Sequence, residues 1–370
     1  MEDRIRGKYE WLTAGLFMVL MLGSFIHQSI YSVFAPYETL VMFIVTVVIY
    51  IMLTMADRGA FLKKDLTALA GVAAVMITSV NLFIIGSGKG AMLIVFDLVL
   101  ILTLVIRGMT LSGRMKRICA FSGTVFMLLW YPVIRWDYGF NMVGFMFLIL
   151  LIFGELLLEY VKNDMEMEYL KYVQILFFFT SVLMAVCYQA RSAALSMVVF
   201  GIIYFAVPFI VEKRMLYNIW ILIFTLGSLA FTFVYAFLGS SGWNMRILYK
   251  DVLSGRELIW AELWKEFFEH PLTGIGSSYQ MKSFFMFEVH NGLMDILVVH
   301  GIIVFICVLY LLVTALKKIC SRDILFCPDK RIAFAGVYTL MFQSFFENGF
   351  IVTPYSCVFF ILMLTAVQDS

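Results

Sequence analysis

The chain has 370 residues, of which 63% are hydrophobic and only 14% charged, with a mean hydropathy of +0.96 and a formal net charge of +2. A water-soluble globular chain of this length does not carry that balance. The net charge itself says nothing about partners, since only the placement of charge is informative here, and no nucleic acid is expected. Apolar runs of about 20 residues recur along the chain, which specifies a polytopic α-helical membrane protein.

Taken in order, Arg4, Arg6 and Lys8 precede an apolar run over residues 11–30, and no small-residue cleavage motif follows. The run is therefore expected to stay as a first helix. Further spans are predicted near 38–56, 66–85, 91–106, 118–134, 141–158, 172–189, 192–211 and 216–238. After a polar interval come spans near 292–316, 332–348 and 351–367. This gives about twelve transmembrane helices: spans one to nine in residues 1–238, a large loop over 239–291, and spans ten to twelve in 292–370. Most of the 27 basic residues fall in segments on the side of the N-terminus. The positive-inside bias then puts both termini in the cytoplasm and the large loop outside. Trp130, Tyr131, Trp136 and Tyr138 read as interfacial anchors. The run Gly86-Ser-Gly-Lys-Gly90 lacks the spacing of a phosphate loop, since position 83 is Phe, and reads as a tight turn. The six cysteines show neither metal-ligand spacing nor a disulfide framework.

The polar interval is where the sequence changes character. Ser254 and Glu257 have capping-box spacing, so a helix is predicted from Gly255. Trp260, Leu263, Trp264 and Phe267 follow at helical spacing and make one apolar face. His270-Pro271 is the predicted stop, because proline disfavours helix at the residue before it. Arg256 then lies in the first turn with no acidic partner at helical spacing. A cation beside free backbone N–H groups suits a phosphate-like anion.

Three pieces of this region are more specific together than apart: Ser254-Gly-Arg-Glu-Leu-Ile-Trp260, Pro271-Leu-Thr-Gly-Ile-Gly276, and His290-Asn291 followed by an apolar helix with Gly301. With Tyr188-Gln-Ala-Arg191 upstream, they resemble the signature of the O-antigen ligase and polymerase superfamily. The resemblance implies an all-α, GT-C-like integral membrane protein of the bacterial plasma (inner) membrane. It also implies glycan transfer from an undecaprenyl-pyrophosphate-linked donor to an acceptor, with no metal and no cofactor. A flippase and a chain-length regulator are the protein partners it suggests, beside the bilayer itself.

The chemistry of such a transfer can be argued from the residues. The pyrophosphate leaving group needs fixed cations, and the acceptor hydroxyl needs a base. Arg191 and Arg256 suit the first role, because the guanidinium fork stays charged and donates two parallel hydrogen bonds. His290 suits the second, since an imidazole is largely neutral near pH 7. Asn291 belongs to the same motif. Asp295, five residues on, is a weaker candidate for orienting the base, and Glu347 for touching a sugar. His300 is expected to pack, His270 to end a helix, and Asp97 and Glu155 to pair between helices. A repeat-unit polymerase is the expected function. The open alternatives are a ligase to another lipid or protein, a flippase or other transporter, and a non-catalytic assembly partner. A transporter would show broken helices with polar groups near the midplane of several spans.

Overall fold

The computed structural model describes residues 2–56, 66–86, 88–130, 140–241, 246–247, 250–251, 255–282 and 289–367. Among them are fourteen α-helices and one two-stranded ribbon. The helices are α1 (Glu2–Phe25), α2 (Gln28–Ala56), α3 (Leu66–Ile85), α4 (Lys89–Ile106), α5 (Gly113–Trp130), α6 (Phe140–Met165) and α7 (Leu170–Cys187). Then come α8 (Arg191–Glu212), α9 (Arg214–Phe224), α10 (Leu226–Ser240), α11 (Arg256–Glu269), α12 (Gly292–Ile319), α13 (Pro328–Gln343) and α14 (Tyr355–Ala366). The ribbon pairs β1 (Arg246–Ile247) with β2 (Lys250–Asp251). Tyr131, Trp136, Tyr138 and Ser254 lie outside the described residues, as does the side chain of Trp130.

The architecture is that of an all-α integral membrane protein. Among the described residues each of the twelve stretches expected to span overlaps a helix or, for 216–238, a bent pair. The 11–30 stretch takes in the later part of α1 and the start of α2, and residues 131–134 lie outside the described residues. Seven helices among the described residues are long and apolar enough to cross a bilayer unaided, and the bent pair makes eight. The rest earn their place by packing. The 16-residue α13 runs through the middle of the bundle against α6, α8 and α14 and is buried from Ile332 to Met341, so it meets helices rather than lipid.

Contacts at the two ends show that successive long helices alternate in direction. At one end, Gly88 ahead of α4 donates its N–H to Ser277 Oγ (2.6 Å), and Asn81 near the end of α3 reaches Thr273 (3.0 Å). At the other, Glu10 of α1 accepts from Ser112 ahead of α5 (3.0 and 2.6 Å), and Arg117 of α5 meets Asp164 of α6 (2.7 Å). The first end, which carries α11, is called the loop end below.

Two spans depart from the expected straight helix, and a third ends early. The 216–238 span breaks at Thr225, where α9 and α10 meet at 42°. The Thr225 hydroxyl donates back to the Ile221 carbonyl (2.7 Å), a bond that favours bending. The 332–348 span stops at Gln343, and residues 344–354 form a connection in which Asn348-Gly349 supplies the turn chemistry.

The third departure explains the Pro271–Gly276 motif. Within α12, Gly301 has φ 83° and ψ 170°, a conformation open essentially to glycine. The break frees the carbonyls of Val298 and Val299, which accept from the N–H groups of Ile275 (2.9 Å) and Gly276 (3.1 Å). In return Ile302 N–H donates to the Pro271 carbonyl (2.8 Å). Asn81 of α3 closes the clip, donating to the carbonyls of Thr273 (3.0 Å) and His300 (3.1 Å). A Cβ at Gly301 would sit 2.2 Å from the Leu272 oxygen, and one at Gly274 2.5 Å from the Val299 oxygen. Gly301→Ala is therefore expected to cost more than ~3 kcal/mol. The checking measurement is the thermal unfolding temperature in detergent, beside Gly90→Ala, where a Cβ meets nothing.

Candidate functional site

The site is assembled at the loop end from four separate stretches. The first is the α7–α8 turn. Gln189 N–H donates to the Val186 carbonyl and Ala190 N–H to the Ala185 carbonyl (both 2.9 Å), the paired bonds of a Schellman motif. Gln189 takes the left-handed position usually filled by glycine, at φ 60°. The reversal is tight enough that α8 starts at once with Arg191. Its neighbour Ser192 lies 3.4 Å from the Gln343 amide at the end of α13, and Ser196 donates to the same amide's oxygen (2.6 Å). Gly144 of α6 lets Ala190 and Ala193 approach, which brings the start of α6 beside the start of α8.

The second stretch is α11. It begins at Arg256 behind an N-cap Gly255 at φ 87° with no side-chain cap bond. Ser254, on which the expected capping box turns, lies outside the described residues; Glu257 packs against Gly239 at the end of α10. The apolar face is as expected, with Trp260, Leu263 and Phe267 buried and His270 as the C-cap. Trp260 stacks edge-on against Phe231 (5.7 Å) and Tyr235 (4.9 Å) of α10, and Phe231 in turn touches Phe345 (5.8 Å) and Phe346 (5.4 Å). This aromatic cluster fixes Arg256 against the residues after α13. Glu262 holds the following link, accepting from Tyr279 Oη (3.0 Å) and Lys282 N–H (2.7 Å).

The third stretch is Val289–Gly292. Trp260 Nε1 donates to the Val289 carbonyl (2.8 Å), and Gly292 N–H to Ser344 Oγ (3.1 Å). Asn291 is the N-cap of α12: its Oδ1 accepts from Met294 N–H (2.9 Å), while its Nδ2 donates to Ser228 Oγ (2.9 Å) and the Phe345 carbonyl (3.3 Å). Between these anchors His290 adopts φ 53°, a left-handed conformation costly for a residue with a Cβ. Asn291 thus positions the histidine. Asn291→Ala is expected to lose about 1–2 kcal/mol with the cap and to lower activity through His290. A thermal melt read beside a rate measurement checks both.

Glu347, in the connection after α13, is where the second and third stretches meet; the α7–α8 turn adjoins the end of α13 through Gln343. Glu347 Oε1 accepts from Arg256 Nη2 and from Asn141 Nδ2 of α6 (2.9 Å), and its Oε2 faces His290 Nδ1 (3.0 Å). Arg256, which has no acidic partner at helical spacing, therefore has one 91 positions away in sequence. The three side chains are 14%, 20% and 23% exposed for Arg256, Glu347 and His290, so the cluster opens on water without being immersed in it. Burial pushes the Glu347 carboxyl up, but the His290 hydrogen bond and the Arg256 charge outweigh it and hold the group below its ordinary value. A depressed carboxylate adds stability that is complete above its unfolded value, 4.5, and is lost as pH falls through the folded one. The wild-type chain is thus expected to lose thermal stability below pH 4.5 more steeply than Glu347→Gln, as paired melts across that window would show.

Asp295 is turned away from His290 and accepts from Asn348 Nδ2 (2.9 Å), tying the first turn of α12 to the same connection. His300 is buried and packs, as expected. Asn141 carries no motif; only the fold shows it. Among the described residues one trio, Glu266, Glu269 and His270, is close enough to hold a metal ion. It lies at the far end of α11 from Arg256, and Glu266 is engaged by Lys282 (3.3 Å).

Residues 176–309 match the family model described as O-Antigen ligase. The matched segment runs from within α7 to within α12 and contains Arg191, Arg256, His290, Asn291 and Asp295, while Asn141 and Glu347 lie outside it. No curated protein and no solved structure matches the chain. By this match that segment is similar to the O-antigen ligase family, and the long apolar helices within it and ahead of it fit a multi-pass membrane protein.

Proposed function

We propose that the chain is a polysaccharide repeat-unit polymerase. It moves a growing glycan from undecaprenyl pyrophosphate to a lipid-linked acceptor unit on the outer face of the bacterial plasma membrane. One observation carries the reading: two residues of the family-matched segment, a cation suited to phosphate and a histidine suited to proton transfer, meet on one carboxylate.

With Nδ1 directed at Glu347, Nε2 is the basic nitrogen of the neutral ring. The acceptor hydroxyl gives its proton to Nε2 as its oxygen bonds to the anomeric carbon. The bond from that carbon to the pyrophosphate oxygen breaks, and the electron pair leaves with undecaprenyl pyrophosphate. Arg256 and Arg191 stabilise the charge that develops there, and Glu347 stabilises the imidazolium. The proposed route calls on no metal ion.

A transporter is the less favoured reading. The break at Gly301 is filled by backbone partners rather than offered to a solute, and the cation, carboxylate and histidine that meet do so at the loop end rather than along a midplane path. The test is to give the purified chain lipid-linked repeat units alone. A polymerase yields a ladder of longer lipid-linked glycans; a ligase yields none until a second acceptor lipid or protein is added.

A further inference from the structure

The Glu347 carboxylate is held three ways, and the three donors are not equivalent. His290 occupies Oε2, whereas Arg256 and Asn141 share Oε1. While Arg256 stays on Glu347, one of its N–H groups and much of its charge are spent on the carboxylate and are shared with any pyrophosphate it meets. Asn141, however, keeps Oε1 in place whether or not Arg256 is there. Asn141 belongs to α6, whose start is packed against α8 at Gly144, so its anchorage does not depend on α11.

We infer that Arg256 exchanges from Glu347 to the donor's pyrophosphate, while Asn141 keeps Glu347 seated against His290. The inference rests on reading Arg256 as a pyrophosphate ligand. Before the donor arrives, the arginine neutralises much of the carboxylate charge. Once it leaves, that charge acts on the imidazole alone, and a nearby opposite charge favours the protonated ring. His290 thus becomes a stronger base only when a donor is in place. An acceptor hydroxyl is then not activated in an empty site. Asn141 is a positioning residue in this scheme, since it acts through Glu347.

The exchange makes a prediction that a purely structural ion pair does not. Glu347→Gln removes the competitor for Arg256, so undecaprenyl pyrophosphate should bind the purified variant in nanodiscs more tightly than wild type, by about tenfold, although turnover is lost. Asn141→Ala should lower kcat and move the acid limb of its pH profile to lower pH, with donor KM unchanged; Asn141→Gln should restore part of kcat. Arg256→Ala separates the two layers of the account. If it leaves undecaprenyl pyrophosphate binding unchanged, the ligand role of Arg256 fails and the exchange fails with it. If it weakens binding but Glu347→Gln does not tighten it, the ligand role stands and the exchange is wrong. Should Glu347→Gln not fold, Asn141→Ala decides alone: a raised donor KM with an unmoved pH profile overturns the proposal.

Discussion

His290→Ala is expected to reduce transfer by roughly a hundred- to ten-thousandfold, the usual contribution of a positioned general base. Donor binding should survive, because it rests on Arg191 and Arg256. His290→Gln should not restore the rate, since an amide can hydrogen-bond but cannot take a proton at neutral pH. In the wild-type enzyme the rate should fall as pH drops, because protonation removes the base. A rate assay with lipid-linked repeat units, run beside a donor-binding measurement, separates the two effects. A folded alanine variant with normal turnover would make His290 structural.

Arg256→Ala should also cost about a hundred- to a thousandfold in rate, the loss typical of one preorganised donor to developing negative charge. Unlike the histidine variant, it should weaken donor binding as well. Lysine should rescue only in part, since it keeps the charge but lacks the planar fork. Membrane insertion should be intact, because Arg256 lies on a short helix at the end of the bundle and Trp260, Leu263 and Phe267 supply that helix's packing. Glu347 would keep Asn141 and His290 as partners.

Most helices were legible because their signal is local. Span-length apolar runs and the face of α11 need no knowledge of the rest of the chain. The resemblance also pointed to Arg256 and His290. It could not supply the group that joins them, because Glu347 lies 91 positions from Arg256 and 57 from His290. Helical spacing offered Asp295 only as a weaker candidate for orienting His290, counting along one continuous helix. His290 is not on that helix: its left-handed backbone precedes the Asn291 cap, so its ring points to the connection after α13. The break in α12 was hidden for a similar reason. An apolar run containing one glycine reads as continuous helix until the loop that replaces its hydrogen bonds is known. Asn141 gave no signal, being a single amide at the start of an apolar run.

The central claim is bond formation at the expense of a lipid pyrophosphate, and product stoichiometry tests it most directly. Purified chain in sealed vesicles would be given lipid-linked repeat units, and released undecaprenyl pyrophosphate and new glycosidic bonds would be counted in the same sample. One undecaprenyl pyrophosphate per new bond is expected, with both falling to background in His290→Ala. Movement of intact lipid-linked units across the bilayer, with no pyrophosphate released and no bond formed, would contradict the account.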